Sequence, residues 1–287
     1  MTYHSPEQRP GFLALPAPAK LNLFLHVNGR RPDGYHLLQT LFRFIDYGDT
    51  VYLRVREDGA INRVDPIPGV PAESDLTVRA AKLLQDHTGS RLGVDIGLEK
   101  RLPMGGGLGG GSSDAATVLI GLNTLWQLGL SRRELQSLGL KLGADVPVFI
   151  FGRNAFAEGI GESLQAVELP DRYYLVLVPP VSISTAEIFC DEGLTRDTPL
   201  INMAVFPMTT MRNDLQSVAC RKYPVVRKYI DLLSGKSKAM MTGSGACVFA
   251  EFESLEAVQE AKKVLCADID GFSAFGLNQH PLLSWPV

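Results

Sequence analysis

The chain has 287 residues, 45% of them hydrophobic and 21% charged, with a formal net charge of -3. That length buries a substantial core in one large domain or two ordinary ones. The balance lacks the whole-chain basic field that draws a protein to nucleic acid. The four cysteines, Cys190, Cys220, Cys247 and Cys266, form no C-x-x-C pair, which excludes a zinc or disulfide framework and points to reduced thiols in a cytoplasm.

The stretch Met1 to Gly11 is polar and carries no apolar run of the kind a secretory leader needs. The longest apolar run, Tyr173 to Val181, is too short to span a bilayer, so no membrane partner is expected. From Ala19 to Val27, apolar residues alternate with Lys20, Asn22, Phe24 and His26, the period of a half-buried strand. Arg30 to Tyr35 reads as a loop, and Val51 to Val55 as another strand. Ser74 is a candidate cap for a helix running to about His87, with Gly89 beyond its end. Val94, Ile96 and Leu98 mark a third strand. A glycine loop then leads into a helix over about Ser112 to Gln127, and Ser131 with Glu134 forms a capping box for the next. Ala155 to Val167 reads as strand, turn and strand. The second half repeats the mixture: a strand at Tyr173 to Val178, helix over Asn213 to Leu233, a strand near Ala246 to Phe252, and helix over Leu255 to Cys266.

The most informative segment is Pro103-Met104-Gly105-Gly106-Gly107-Leu108-Gly109-Gly110-Gly111-Ser112-Ser113-Asp114. Six glycines in seven positions cost conformational entropy on ordering. What they permit is positive φ and close approach of backbone to a ligand. Placed before a helix N-terminus, whose free amides and dipole favour anions, the loop reads as a phosphate cradle. A flexible linker is the alternative, but such linkers do not usually join an amphipathic strand to an apolar helix. No lysine follows Gly111, which disfavours a Walker A loop. The match of Gly105, Gly107 and Gly110 to G-x-G-x-x-G is weak in so glycine-rich a tract. A second helix also stands where a dinucleotide fold needs a strand ending in an acid.

Three further segments are modest alone. Lys20 reads as a solvated strand lysine, Asp145 in Gly143-Ala-Asp-Val-Pro147 as a turn or capping aspartate, and Thr242 to Ala246 as a hairpin turn. Together with the glycine loop they change meaning. Pro16-Ala-Pro-Ala-Lys20-Leu-Asn22, Pro103 to Ala115 and Thr242 to Cys247 resemble, in order and position, the three motifs of the galactokinase, homoserine kinase, mevalonate kinase and phosphomevalonate kinase (GHMP) superfamily. Arg31-Pro-Asp-Gly-Tyr-His36, Asp46-Tyr-Gly-Asp49 and Gly143 to Pro147 narrow the resemblance to the branch whose substrate carries a cytidine diphosphate.

That resemblance implies an α/β (α+β type) fold with a two-domain GHMP-kinase-like architecture and the site in the interdomain cleft. It places an ATP-binding domain over 1–160 and a substrate-binding domain over 161–287. It implies ATP and Mg²⁺ as cofactors, with phosphoryl transfer to a hydroxyl of the small-molecule cytidine-diphosphate substrate. Asp145 is expected as the general base, with Lys20 beside it stabilising the alkoxide. The stretch from Pro103 and Met104 through Gly105, Gly106, Gly107, Leu108, Gly109, Gly110 and Gly111 to Ser112 and Ser113 is expected to hold the phosphates. Tyr35 and Phe189 are expected to sandwich the cytosine, with His36 on its edge. Asn22, Thr185, Gly243 and Ser244 are expected near the remaining substrate groups. Asn62 is a candidate adenine contact, Asp114 a cap or solvent-facing residue, and no metal-ligating residue is assigned. Another GHMP kinase, a dinucleotide-binding oxidoreductase and a non-catalytic binding module are the rival readings. Oligomeric state is left open.

Overall fold

The computed structural model describes residues 7–202, 211–266 and 269–285, so the first residues of the polar N-terminal stretch lie outside it. Two long strands organise the chain: β1 (Leu13–Arg30) and β2 (His36–Arg56). They pair antiparallel from Leu13 opposite Leu53 to Arg30 opposite His36, with the loop of residues 31–35 between them. Because β2 is long, different lengths of it take different partners. Thr50 to Arg56 pairs with β4 (Gly93–Glu99), which carries the short parallel β3 (Ile61–Arg63) on its far edge. Thr40 to Phe42 pairs with β5 (Ala155–Glu158), whose hairpin partner is β6 (Ser163–Ala166). Phe44 and Ile45 pair with β10 (Gly271–Leu277). Beyond β10 come β7 (Tyr173–Leu177), β9 (Val248–Phe252) and β8 (Ala239–Met241), so the described strands form one continuous ten-stranded sheet.

Eight helices flank the sheet among the described residues. In chain order, α1 is Leu76–Thr88, α2 Gly110–Leu125, α3 Arg132–Leu140 and α4 Val146–Phe151. Then come α5 (Thr185–Phe189), α6 (Gln216–Lys222), α7 (Pro224–Ser234) and α8 (Leu255–Leu265). Leu15, Val51 and Leu53 of the long strands meet Leu84 of α1, Leu119 of α2 and Leu138 of α3 in a first apolar core. Leu175, Leu177 and Val248 meet Val218, Ile230 and Val258 of the later helices in a second.

Three local expectations change. β1 is buried on both faces, because helices cover one side and a third apolar cluster covers the other. Lys20 and Asn22 are each 2% exposed, not solvated. The cap of α1 is Asp75, whose carboxylate accepts from the Thr77 amide at 2.8 Å, rather than Ser74; Gly89 closes the helix at φ 68° as expected. Asn213 to Leu233 is two helices, because Pro224 opens α7 and holds Tyr223 out of helical conformation, at φ −127° and ψ 82°.

A polar knot joins the two ends of the chain where β2 meets β10. Asn278 accepts from Arg43 Nη1 (3.2 Å), Asn154 Nδ2 (2.9 Å) and the Leu169 amide (3.0 Å), and donates to Leu169 O (2.9 Å). Arg43 is fully buried and also donates to Gly276 O at 2.9 Å and Pro170 O at 3.1 Å. Truncating Asn278 orphans several buried groups at about 1–3 kcal/mol each. We predict that Asn278→Ala loses about 3 kcal/mol of stability in urea unfolding. A loss below about 1 kcal/mol would show the knot to be dispensable.

Candidate active site

Between the helix side of β1 and the later loops lies a cavity of about 580 Å³. The loop of residues 103–109 forms its floor and runs into α2. Gly105, Gly107 and Gly109 have φ of 66°, 75° and 76°, a region closed to most side chains. A Cβ at Gly107 would also stand 2.2 Å from Thr242 O, so glycine is required there twice over. Outside the cavity the loop is pinned: the amides of Ala246 and Cys247 donate to Gly105 O and Gly106 O, each at 3.1 Å, and Lys20 N donates to Leu108 O at 3.0 Å. Gly109 is the N-cap of α2 and offers no side-chain cap, which leaves the first-turn amides open toward the cavity. Pro103, Met104, all six glycines, Leu108 and Ser112 line it. Ser113 does not. Its hydroxyl donates to Pro18 O at 2.7 Å and its amide to Gly109 O at 2.8 Å, so the expected phosphate donor is spent on fixing α2 against β1.

Lys20 Nζ lies at the centre. It donates to Asn22 Oδ1 at 2.6 Å and to Gly107 O at 2.9 Å, and stands 3.3 Å from Asp145 Oδ2. Asp145 occupies the N-cap position of α4 yet makes no capping bond, so its carboxylate is left to face the lysine and the cavity. Asn22 is itself held, donating from Nδ2 to Thr40 Oγ1 at 2.9 Å. Its amide donates to Thr242 Oγ1 at 3.0 Å. Thr242 and the glycines after it are held in turn by Asn213, whose Nδ2 donates to Met241 O and Gly243 O at 2.8 and 2.7 Å. Thr242 was read from sequence only as the first residue of the third motif, and Asn213 only as the start of a helix; Asn213 carries no local signal, since its partners lie about thirty residues away.

At the far end, Thr185 and Ser244 share a hydroxyl–hydroxyl bond of 2.7 Å, and both line the cavity with Phe189 and Gly243. His36 is not in the cavity lining, but its ring lies 4.9 Å from that of Phe189, which is. Arg196 Nε donates to His36 Nε2 at 3.1 Å. Burial, then the cations Arg196 and Arg30, lower the His36 pKa and favour the neutral ring. Tyr35 is not brought in. It stands 58% exposed on the loop of residues 31–35, outside the cavity lining. Asn62 also lies elsewhere, on β3, donating to Asp95 at 3.2 Å; Ile67, Val70 and Leu76 line the cavity in its place.

Asp114 is neither a cap nor solvated. It is 3% exposed, lines the cavity and pairs with Lys100 Nζ at 2.6 Å, while Lys100 also pairs with Asp49. Asp49 accepts from the Arg101 and Leu102 amides at 2.6 and 2.8 Å, anchoring the entry to the glycine loop. One ammonium thus serves two buried carboxylates. Burial works against the Lys100 charge, but the carboxylates outweigh it and hold its pKa above the ordinary value. Burial and the Asp49 charge push the Asp114 carboxyl up to about 8. A carboxyl raised in the folded state contributes stability that is complete below its unfolded pKa, about 4, and is lost as pH rises through the folded value. Asp114→Asn is therefore expected to flatten the fall in melting temperature between about pH 4 and 8 and to exceed the wild type at pH 9. A variant that keeps the wild-type slope would remove Asp114 as its source.

Two family models match the chain: the GHMP kinases N terminal domain over residues 75–153 and the GHMP kinases C terminal over 205–270. A 4-diphosphocytidyl-2-C-methyl-D-erythritol kinase from Aromatoleum aromaticum is 56% identical over 270 residues, covering 94% of this chain and 95% of the relative. One from an Azoarcus species is 58% identical over 267 residues, covering 93% and 95%. Among solved structures, a crystal structure of 4-(cytidine 5'-diphospho)-2C-methyl-D-erythritol kinase superposes with a TM-score of 0.78 at 31% identity, covering 92% of this chain and 99% of the other. The mevalonate kinase of Methanococcus jannaschii, at 16% identity and a TM-score of 0.63, shares the fold. With a glycine loop at a helix N-terminus, a buried lysine facing a free carboxylate, and these relatives over nearly its whole length, the chain belongs to the 4-diphosphocytidyl-2-C-methyl-D-erythritol kinase family of GHMP kinases.

Proposed function

We propose that this ATP-dependent kinase transfers the γ-phosphoryl group to the 2-hydroxyl of 4-diphosphocytidyl-2-C-methyl-D-erythritol, in the non-mevalonate isoprenoid pathway. One observation carries the reading: Asp145 and Lys20 stand 3.3 Å apart in the same cavity as the glycine loop. In this proposal the nucleotide is held mainly by the part of the chain up to about residue 160. The cytidylyl substrate is held mainly by 161–287, reaching across to Asn22 and His36. The free cysteines support a reducing, cytoplasmic setting.

Asp145 accepts the proton of the substrate hydroxyl as its oxygen bonds to the γ-phosphorus and the bond to the β–γ bridging oxygen breaks, releasing ADP. Lys20 offsets the negative charge gathering on that oxygen. Its ammonium is tethered to Asn22 and Gly107 O, so it needs no reorganisation when the charge appears. The amides at the start of α2 and the Ser112 hydroxyl hold the phosphates, and the helix dipole favours their charge. Because the P-loop lysine is absent, backbone and metal share that neutralisation. The cavity fits Mg²⁺ as an ion carried on the phosphates. Among the described residues no group of three or more His, Cys, Asp or Glu could hold a metal, whereas Ser112 offers an oxygen beside the phosphate position. When bound, Mg²⁺ would offset the phosphate charge, with the Ser112 hydroxyl as the protein oxygen to hold it. Phe189 and His36 supply an aromatic face and edge for the cytosine, and Thr185 and Ser244 supply hydroxyls toward the diphosphate.

Incubation with MgATP and 4-diphosphocytidyl-2-C-methyl-D-erythritol, homoserine or mevalonate, followed by ADP release, tests the reading. Release with the cytidylyl substrate alone is expected; release only with another alcohol overturns the substrate assignment. Asp145→Asn is expected to retain ATP affinity and lose roughly 10²–10⁴-fold in kcat. Unchanged turnover would take the role of base from Asp145.

A further inference from the structure

His36 has two ring nitrogens, and in a neutral imidazole one donates and the other accepts. Its Nε2 faces Arg196 Nε at 3.1 Å. A guanidinium only donates. Nε2 must then carry the lone pair, and the ring proton must sit on Nδ1, the nitrogen that Arg196 does not engage. The arginine is well placed to impose this. Its Nη2 donates to Phe189 O and Asp191 O at 2.9 and 2.8 Å, and its Nη1 to Leu194 O at 3.1 Å. All of its nitrogens are therefore committed, and the fork cannot swing away from the imidazole without losing the carbonyls at the end of α5. The same fork ties His36 to the ring it packs against, Phe189, at 4.9 Å.

We propose that Arg196 is a positioning residue for base recognition, fixing His36 as the Nδ1–H tautomer so that it presents a donor, not an acceptor, to the pyrimidine edge. This rests on the cytidylyl reading given above. Cytosine offers acceptors at O2 and N3, and a donor at Nδ1 matches either of them. Left to itself, a neutral imidazole favours the proton on Nε2. That tautomer would aim a lone pair at those acceptors and cost a hydrogen bond.

The charged groups acting on His36 are both cations: Arg196 from the segment after α5 and Arg30 from the end of β1. Phe189 of α5 is neutral. Removing Arg196 therefore has two consequences. The neutral ring reverts toward the Nε2–H form, and the pKa rises toward its ordinary value. As pH falls, the imidazolium that then forms donates from both nitrogens and recovers the contact.

Two measurements test this on Arg196→Met and Arg196→Lys, with wild type alongside. Nitrogen-detected imidazole NMR of the free protein is expected to show Nδ1–H at His36 in wild type and a shift toward Nε2–H in Arg196→Met. In kinetics at pH 8, KM for the cytidylyl substrate is expected to rise roughly tenfold in Arg196→Met with kcat within about twofold. That gap should narrow as pH falls toward 6. Arg196→Lys, which keeps a donor near Nε2, is expected to recover part of the KM. An Nε2–H ring in wild type, an unchanged tautomer in Arg196→Met, or a KM gap that does not vary with pH would each overturn the proposal. The NMR result is independent of substrate. If wild type phosphorylated only a different alcohol, the cytidylyl reading would fail and base recognition with it, while the measured tautomer would still decide Arg196's hold on His36.

Discussion

The buried ammonium of Lys20 is the interaction on which the site depends. A charge that is 2% exposed must be compensated, and the compensation comes from three separate segments. Asn22 supplies an oxygen from the same strand, Gly107 a carbonyl from the glycine loop, and Asp145 a carboxylate from the start of α4. Satisfying one cation therefore brings β1, the loop and α4 to a common point. The loop can reach it only because Gly107 and Gly109 carry no side chain: a Cβ on the first would meet Thr242 O and on the second Phe149 and Lys20 itself. The same economy leaves Asp145 without a capping bond, so its carboxylate is available for chemistry.

Around that centre, polar residues hold backbone rather than ligand. Ser113 fixes α2 to β1, Asp49 fixes the entry to the glycine loop, and Asn213 fixes the loop after β8. Each is buried and each satisfies groups that a loop would otherwise leave to water. The glycine-rich segments are costly to order, and these side chains offset that cost by holding the loops in place before a ligand arrives. The cluster of Lys100 with Asp49 and Asp114 does the same at the other end of the loop, with more carboxylate than one ammonium can neutralise.

The fold was legible to the extent that its signals were local. The strand at β1, the Ser131–Glu134 capping box and the helix stop at Gly89 are properties of a few neighbouring residues, and they stand in the structure as expected. Errors arose where two local signals competed or where burial was set by distant elements. Ser74 and Asp75 are both capable caps, and only the chain path selected Asp75. The polar face of β1 looked solvated because nothing nearby in sequence reveals what packs over it.

The sequence by itself determined the glycine loop, the lysine and aspartate proposed for the chemistry and their order along the chain, because close backbone approach, a cation and a carboxylate each demand particular residues. It determined the kinship too, since those motifs recur in a fixed order. Tertiary structure alone decided which of the expected residues meet. It set Lys20 against Asp145 across 125 residues of chain, turned the Ser113 hydroxyl away to Pro18, left Tyr35 exposed, and put Arg196 on His36. The physical reason is that hydrogen bonds and ion pairs form between atoms a few ångströms apart, and for residues far apart in the chain that distance is set only when the sheet closes and the helices pack upon it.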